Sequence, residues 1–178
     1  PFTYRKKTEQ GLNESIVRQI SEEKNEPAWM LEKRLEALKI FNEKSNPEWG
    51  PDLSEVDMDK VITYIRPDAD LAADWNDVPE EIRKTFDSLG IPEAEKESML
   101  SGVGAQYDSE VVYHSIQQHL LDQGVVYTDF ETGLHEYEDI VKEYFGKCIN
   151  PNLHKYAALH YAVWSGGSFV YVPEGVDV

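Results

Sequence analysis

The stretch L-S-G-V-G-A-Q-Y-D-S-E-V-V-Y-H, from Leu100 to His114, carries the most information about how this chain folds. Its first glycine, Gly102, suits the left-handed position that ends a helix, and Pro92 suits the start of that helix. After the glycines, Asp108 or Ser109 can accept hydrogen bonds from the free amides of a further helix. The stretch therefore predicts two helices joined by a glycine turn.

The second of these helices is expected to continue beyond His114. Its apolar residues Val112, Ile116 and Leu120 recur every four positions, which places them on one helix face. Gly124 is expected to end it in a left-handed conformation. Val125 to Tyr127 then predict a short strand.

Apolar spacing predicts two helices in the N-terminal part of the chain. The first has its apolar face at Leu12, Ile16, Val17 and Ile20. The second is expected to open at Pro27 and to bury Leu31, Leu35, Leu38 and Phe41. The Asn46-Pro47 pair interrupts this pattern.

Residues 48–77 predict an acidic, extended connector with little core of its own. The exception is the run from Val61 to Ile65, which predicts either a short strand or one helical turn. Trp49 and Trp75 are expected to pin the connector to a neighbouring surface.

The rest of the chain predicts three more helices and a strand. One opens at Pro79 and ends at Gly90, one carries Ile140, Val141, Tyr144 and Phe145 and ends at Gly146, and one runs from about Leu153 to Val163. Ser165-Gly166-Gly167 then leads into the strand Ser168 to Val172.

These elements predict an α+β fold that is mostly helical and has two or three short strands. Four segments are expected: an N-terminal helical pair (1–47), the acidic connector (48–77), a helical domain with a short strand (78–165) and a terminal strand segment (166–178).

The charge of −17 restricts the classes of partner. Residues 48–81 alone hold 11 acidic and 2 basic residues. Such a surface repels phosphate backbones, so nucleic acid is a poor partner. A solvated surface, a basic partner and adaptation to high salt all remain open. No apolar stretch is long enough to span a bilayer, so we expect no membrane.

No catalytic, cofactor-binding or metal-binding residue is predicted. Gly102-x-Gly104 lacks the third glycine and the preceding strand of a dinucleotide site, and Gly166-Gly167 predicts only a corner. Two weak ligand pairs exist, Glu110 with His114 and Cys148 with His154. Cys148, the only cysteine, is expected to be a packed thiol, and the lack of disulfides favours the cytoplasm.

The Leu100–His114 stretch, together with A-V-W-S-G-G-S-F-V-Y-V-P-E-G-V from Ala162 to Val176, resembles the N-terminal region of the SufB/SufD family. The block G-V-G-A-Q-Y-D-S-E favours the SufB branch. The resemblance implies a scaffold of iron–sulfur cluster assembly, in which a helical N-terminal domain precedes a right-handed parallel β-helix. On this expectation the strand 168–172 leads into the β-helix, which lies beyond Val178.

The same resemblance implies partners and cargo. A SufD-like homologue and the ABC-type ATPase SufC would act with the scaffold in a SufBCD complex, a sulfur donor would supply it, and apo-proteins would receive the cluster. Cluster residues would lie beyond this chain, so no cofactor is expected here. Two other interpretations remain open: a free-standing acidic interaction module and an enzyme of unrecognised type.

Overall fold

A computed structural model describes residues 3–72, 74–89 and 102–178. The fold is α+β, as predicted, with 42% of the chain helical and 16% in strands. The described strands are β1 Tyr4–Lys7, β2 Ile65–Pro67, β3 Gly102–Tyr107, β4 Glu110–Ile116, β5 Val126–Asp129 and β6 Ser168–Tyr171. The described helices are α1 Glu14–Glu23, α2 Ala28–Glu43, α3 Glu80–Ser88, α4 Gln118–Leu121, α5 Phe130–Glu136, α6 Glu138–Tyr144 and α7 Lys155–Val163.

The chain forms two compact units, each built from separated segments. The helical unit comprises Lys7–Ile65 and Leu134–Ser165. The strand unit comprises Pro1–Lys6, Arg66–Gly133 and Gly166–Val178. Both units therefore draw on the early and the late parts of the sequence.

The helical unit buries the apolar faces that the sequence predicted. Asn13 caps α1 by accepting from the Ile16 amide at 3.1 Å, which satisfies one of the free donors of the first turn. Val17, from α1, packs with Ala37 and Leu38 of α2 and with Tyr161 and Ala162 of α7. The three helices thus share one core.

In the strand unit, the prediction of one helix over Val112, Ile116 and Leu120 is wrong for Val112 and Ile116, which lie in β4, and correct for Leu120, which lies in α4. Strands β3 and β4 pair antiparallel as a hairpin, with Tyr107 opposite Glu110 and Asp108-Ser109 as the turn. Asp108 has φ 50, a left-handed conformation that aspartate tolerates better than most residues. Ala72 extends the pairing, since its N–H donates to the Val112 carbonyl at 3.0 Å.

The four-residue spacing of Val112 and Ile116 explains why a helix was predicted where the structure has a strand. Residues four apart share a face in a helix and also share a face in a strand, where side chains alternate with period two. Val112 is buried in the strand unit with Trp75, Val78 and Ile82, so the apolar position itself was predicted correctly. The β-branched pair Val111-Val112 favours the strand.

The two predicted glycine caps have different outcomes. Gly102 is the first residue of β3 and pairs with Ile116, so the predicted glycine turn between two helices is wrong there. Gly124 has φ 82 and follows α4, as the prediction requires. The predicted helix that begins at Pro92 and the predicted cap at Gly90 fall in residues 90–101, which lie outside the described residues.

Parts of the region 48–77 contribute to the cores: Trp75 does so as the sequence predicted, whereas the burial of Tyr64 was not predicted. Tyr64 is buried with Ile16 and Ile20 in the helical unit. Trp75 is buried in the strand unit and meets Phe86 edge-on, with ring centroids 5.5 Å apart. Trp49, by contrast, is 63% exposed, so its predicted pinning role is wrong.

Strands β5 and β6, which are separated in sequence by three helices, form a second antiparallel two-stranded sheet, with Thr128 opposite Phe169. Phe169 lies so close to Gly133 of α5 that a Cβ there would come within 2.6 Å of the Phe169 Cβ. Glycine at position 133 therefore allows α5 to approach β6, although glycine is a poor helix former.

Candidate interaction surfaces

The two-stranded β5–β6 sheet presents an open apolar pocket of about 230 Å³ in the strand unit. Strand β4, helix α4 and the terminal segment complete its walls. The lining residues are Ile116, Leu120, Val125, Tyr127, Val170, Val172 and Val178. A lining without charged side chains suits apolar groups rather than a polar substrate. We call this surface the β5–β6 apolar face.

Strand β6 adds exposed apolar side chains to this face. Val170 is 59% exposed and Tyr171 is also exposed. Among the described residues β6 pairs only with β5, so its other edge offers backbone donors and acceptors. Such an edge is a template for pairing with another strand.

A buried ion pair organises the helical unit. Arg34 and Glu26, each with a fully buried side chain, form a bidentate pair with N–O distances of 2.8 and 2.6 Å. Arg34 also donates to the carbonyls of Ala162 (3.1 Å) and Trp164 (2.8 Å). These carbonyls belong to the C-terminal end of α7, where helices have free acceptors and favour positive charge.

Aromatic rings complete the surroundings of this pair. The Arg34 guanidinium lies 4.4 Å from the centre of the Trp164 ring. Lys24, also buried, lies 6.0 Å from the same ring and 5.7 Å from the Tyr64 ring. Sequence analysis missed this cluster because Glu26 and Arg34 are eight positions apart and no local motif joins them. The cluster fixes α2 against α7 and offers no open site.

Cys148 is exposed, so the prediction of a packed thiol is wrong. It lies beside Tyr161, whose hydroxyl donates to the Ile149 carbonyl. Burial, and secondarily the charge of Cys148, raise the pKa of Tyr161. The tyrosine therefore keeps its proton at neutral pH and acts as a structural donor.

The other sequence-predicted candidates do not assemble into a metal centre. No group of three His, Cys, Asp or Glu side chains in the described part of the chain could hold a metal ion. His154 instead caps α7, since its Nδ1 accepts from the Ala157 amide at 3.1 Å. Glu110 is buried at the start of β4, and the His114 ring meets Tyr127 edge-on.

The glycines Gly166 and Gly167 have structural roles in the strand unit. A Cβ at Gly166 would collide with the Gln106 side chain, and Gly167 has φ 148. The Gly167 carbonyl accepts from the Phe130 amide at 3.0 Å. Both glycines thus permit the close corner that leads into β6, as predicted.

Comparison with protein families decides the relationship of this chain. The model of the SufBD protein N-terminal region matches residues 16–178. The chain belongs to the SufBD family. The resemblance inferred from the two sequence stretches is therefore confirmed at the level of the family.

Curated SufBD proteins extend this finding. An iron–sulfur cluster assembly SufBD family protein of Mycobacterium tuberculosis is 54% identical over 170 residues, which are 96% of this chain and 20% of that protein. Its counterparts in Staphylococcus haemolyticus and Staphylococcus aureus are 50% and 49% identical over 172 residues, or 37% of their length. The chain thus spans between a fifth and two fifths of these relatives.

A search for membrane-crossing segments found none in the part of the chain that is described: each helix there is too short or too polar to traverse a bilayer.

Proposed function

We propose that this chain is the N-terminal region of a SufB-type scaffold on which iron–sulfur clusters are assembled. The observation that carries the proposal is the family match over residues 16–178 together with relatives named for iron–sulfur cluster assembly. The G-V-G-A-Q-Y-D-S-E block supports the SufB branch over SufD.

The region acts through contacts rather than through catalysis. The β5–β6 apolar face and the edge of β6 that faces away from β5 supply apolar groups and backbone hydrogen bonds to a further part of the scaffold. A SufD-like homologue and a SufC-type ATPase complete the assembly in the cytoplasm. The cluster is the cargo of the whole scaffold, and cysteines outside this chain hold it.

Genetic complementation tests the proposal. Cells depleted of the longer protein that contains this region should lose the activity of a cluster-dependent enzyme such as aconitase, while the amount of aconitase polypeptide stays unchanged. The longer protein should restore the activity and residues 1–178 alone should not. Unchanged aconitase activity after depletion would reject the assembly role.

A free-standing acidic interaction module is the second candidate, and the charge of −17 favours it. This module would have no cluster chemistry, so aconitase activity that survives depletion of the longer protein would support it and reject the scaffold assignment.

A further inference from the structure

The loop that follows α2 carries an exposed tryptophan among carboxylates. Residues 48–59 contain five acidic side chains, Glu48, Asp52, Glu55, Asp57 and Asp59, and no basic one. Trp49 stands among them with 63% of its surface exposed. We call residues 46–60 the Trp49 loop. Large exposed aromatic rings are unusual on a surface that contacts only water, and tryptophan is enriched at the centres of protein interfaces.

Two other tryptophans in the same helical unit have a cation close to the ring, and Trp49 differs from them in this respect. Arg34 lies 4.4 Å above the Trp164 ring, and Lys142 lies 6.0 Å from the Trp29 ring. No lysine or arginine within the described ranges lies over Trp49, whose only ring neighbour there is His154, edge-on at 5.2 Å. Edge-on contact leaves a ring face open. An external cation could occupy it.

The carboxylates near Trp49 in sequence are also available. Asp57 pairs with Lys60 at 2.9 Å, but among residues 3–72, 74–89 and 102–178 no cation pairs with Glu48 or Glu55. Glu48 directly precedes Trp49. A guanidinium over the ring could therefore reach a carboxylate at the same time, and charge-assisted hydrogen bonds of this kind are among the strong ones.

The loop is held in place before any partner arrives. Lys155 donates to the Lys44 carbonyl at 2.8 Å, and the Tyr156 hydroxyl donates to the Asn46 side chain at 3.4 Å. Pro47 and Pro51 flank Trp49 and restrict the backbone on both sides. Preorganisation lowers the entropy lost on binding.

We propose that the Trp49 loop docks a basic protein surface that presents arginine or lysine beside apolar side chains. The Trp49 ring takes the cation and its neighbouring apolar group, and the loop carboxylates provide charge complementarity and steering. The charge of the loop excludes the phosphates of nucleic acids and of anionic lipids. The proposal is independent of the scaffold function, since it concerns a different unit from the β5–β6 apolar face.

Nuclear magnetic resonance with a model peptide tests this. The probe is a peptide of repeated arginine-leucine-alanine-arginine units, and the control peptide carries glutamine in place of arginine. The chain has four tryptophans, and Trp49→Phe identifies the indole signal of Trp49. Addition of the arginine peptide should shift this signal and leave those of the other three unchanged. The glutamine peptide should shift none.

Affinities of variants, measured by fluorescence anisotropy of the labelled peptide, decide the role of each group. Trp49→Ala should weaken binding by about tenfold or more, and Trp49→Phe by less. Glu48→Gln with Glu55→Gln should weaken it several-fold. The charge-matched control Glu32→Gln with Glu36→Gln, on exposed positions of α2, should weaken it by less than twofold.

Two results would overturn the proposal. One is a Trp49→Ala protein that folds normally by circular dichroism and binds the peptide as the native chain does. The other is an equal loss in the loop and control carboxylate variants, which would show attraction to the acidic chain as a whole.

Discussion

The bidentate pair between Arg34 and Glu26 shows how one residue can join elements that are far apart in sequence. Arg34 satisfies a carboxylate, two helix-terminal carbonyls and the face of an indole ring at once. A lysine could not do this, because it lacks the planar fork of donors. The position is therefore specific for arginine.

Substitution of Glu26 should be strongly destabilising. Glu26→Ala leaves the Arg34 charge buried without its carboxylate, and the free energy of unfolding should fall by about 3–5 kcal/mol. Urea unfolding followed by circular dichroism measures it. Arg18→Ala, which breaks the exposed pair of Arg18 with Glu14, is the control and should cost about 0.5 kcal/mol or less.

Removal of both charges distinguishes the cost of an unpaired buried charge from the cost of losing the ion pair itself. The double variant Glu26→Leu with Arg34→Met should be more stable than Glu26→Ala, since no unpaired charge stays buried. Equal stability of Glu26→Ala and the native chain would contradict the buried pairing.

At the scale of elements, Gly133 determines how closely α5 approaches β6. Alanine is the better helix former, yet Gly133→Ala should lower the free energy of unfolding by about 1–3 kcal/mol, because its methyl group would overlap Phe169. Thermal unfolding detects the change. Adding Phe169→Leu should recover part of the loss, and a more stable Gly133→Ala protein would show that the contact is looser.

The edge of β6 that faces away from β5 gives a prediction for hydrogen exchange. In this chain the β6 amides that point away from β5 should exchange rapidly, while the amides of α2 and α7 exchange slowly. In a longer protein that contains this region, the same β6 amides should be protected by a neighbouring strand. Exchange followed by mass spectrometry compares the two chains. Equal exchange of β6 in both would argue against pairing at this edge.

The helices α1, α2 and α7 could be predicted from sequence because their apolar residues recur at helical spacing and fit no strand. The hairpin β3–β4 could not, because Val112 and Ile116 suit either period and the glycines suit either a cap or a strand that packs closely. The pinning role of Trp75 could be predicted from its large ring, but the buried contacts of Tyr64 were missed for another reason. Its neighbours in space are distant in sequence, and acidic residues around it hide the apolar pattern.

At the scale of the whole molecule, the sequence correctly predicted the family and the α+β class, and the structure adds surfaces that no motif showed. The β5–β6 apolar face required the pairing of strands that are distant in sequence to be known. The buried Arg34 cluster required the packing of α2 against α7 to be known.

Cluster loading tests the proposal that this region belongs to a longer scaffold. Iron–sulfur clusters are generally held by four cysteine thiolates, and this chain has one cysteine, Cys148. Reconstitution with iron, sulfide and reductant without oxygen should therefore leave residues 1–178 without cluster absorption. The longer protein should acquire it under the same conditions. Cys148→Ser in the longer protein serves as the control and should leave the absorption unchanged, because the exposed Cys148 belongs to no group of three potential metal ligands among the described residues. Cluster absorption that depends on Cys148, in either chain, would instead place this thiol in the assembly chemistry.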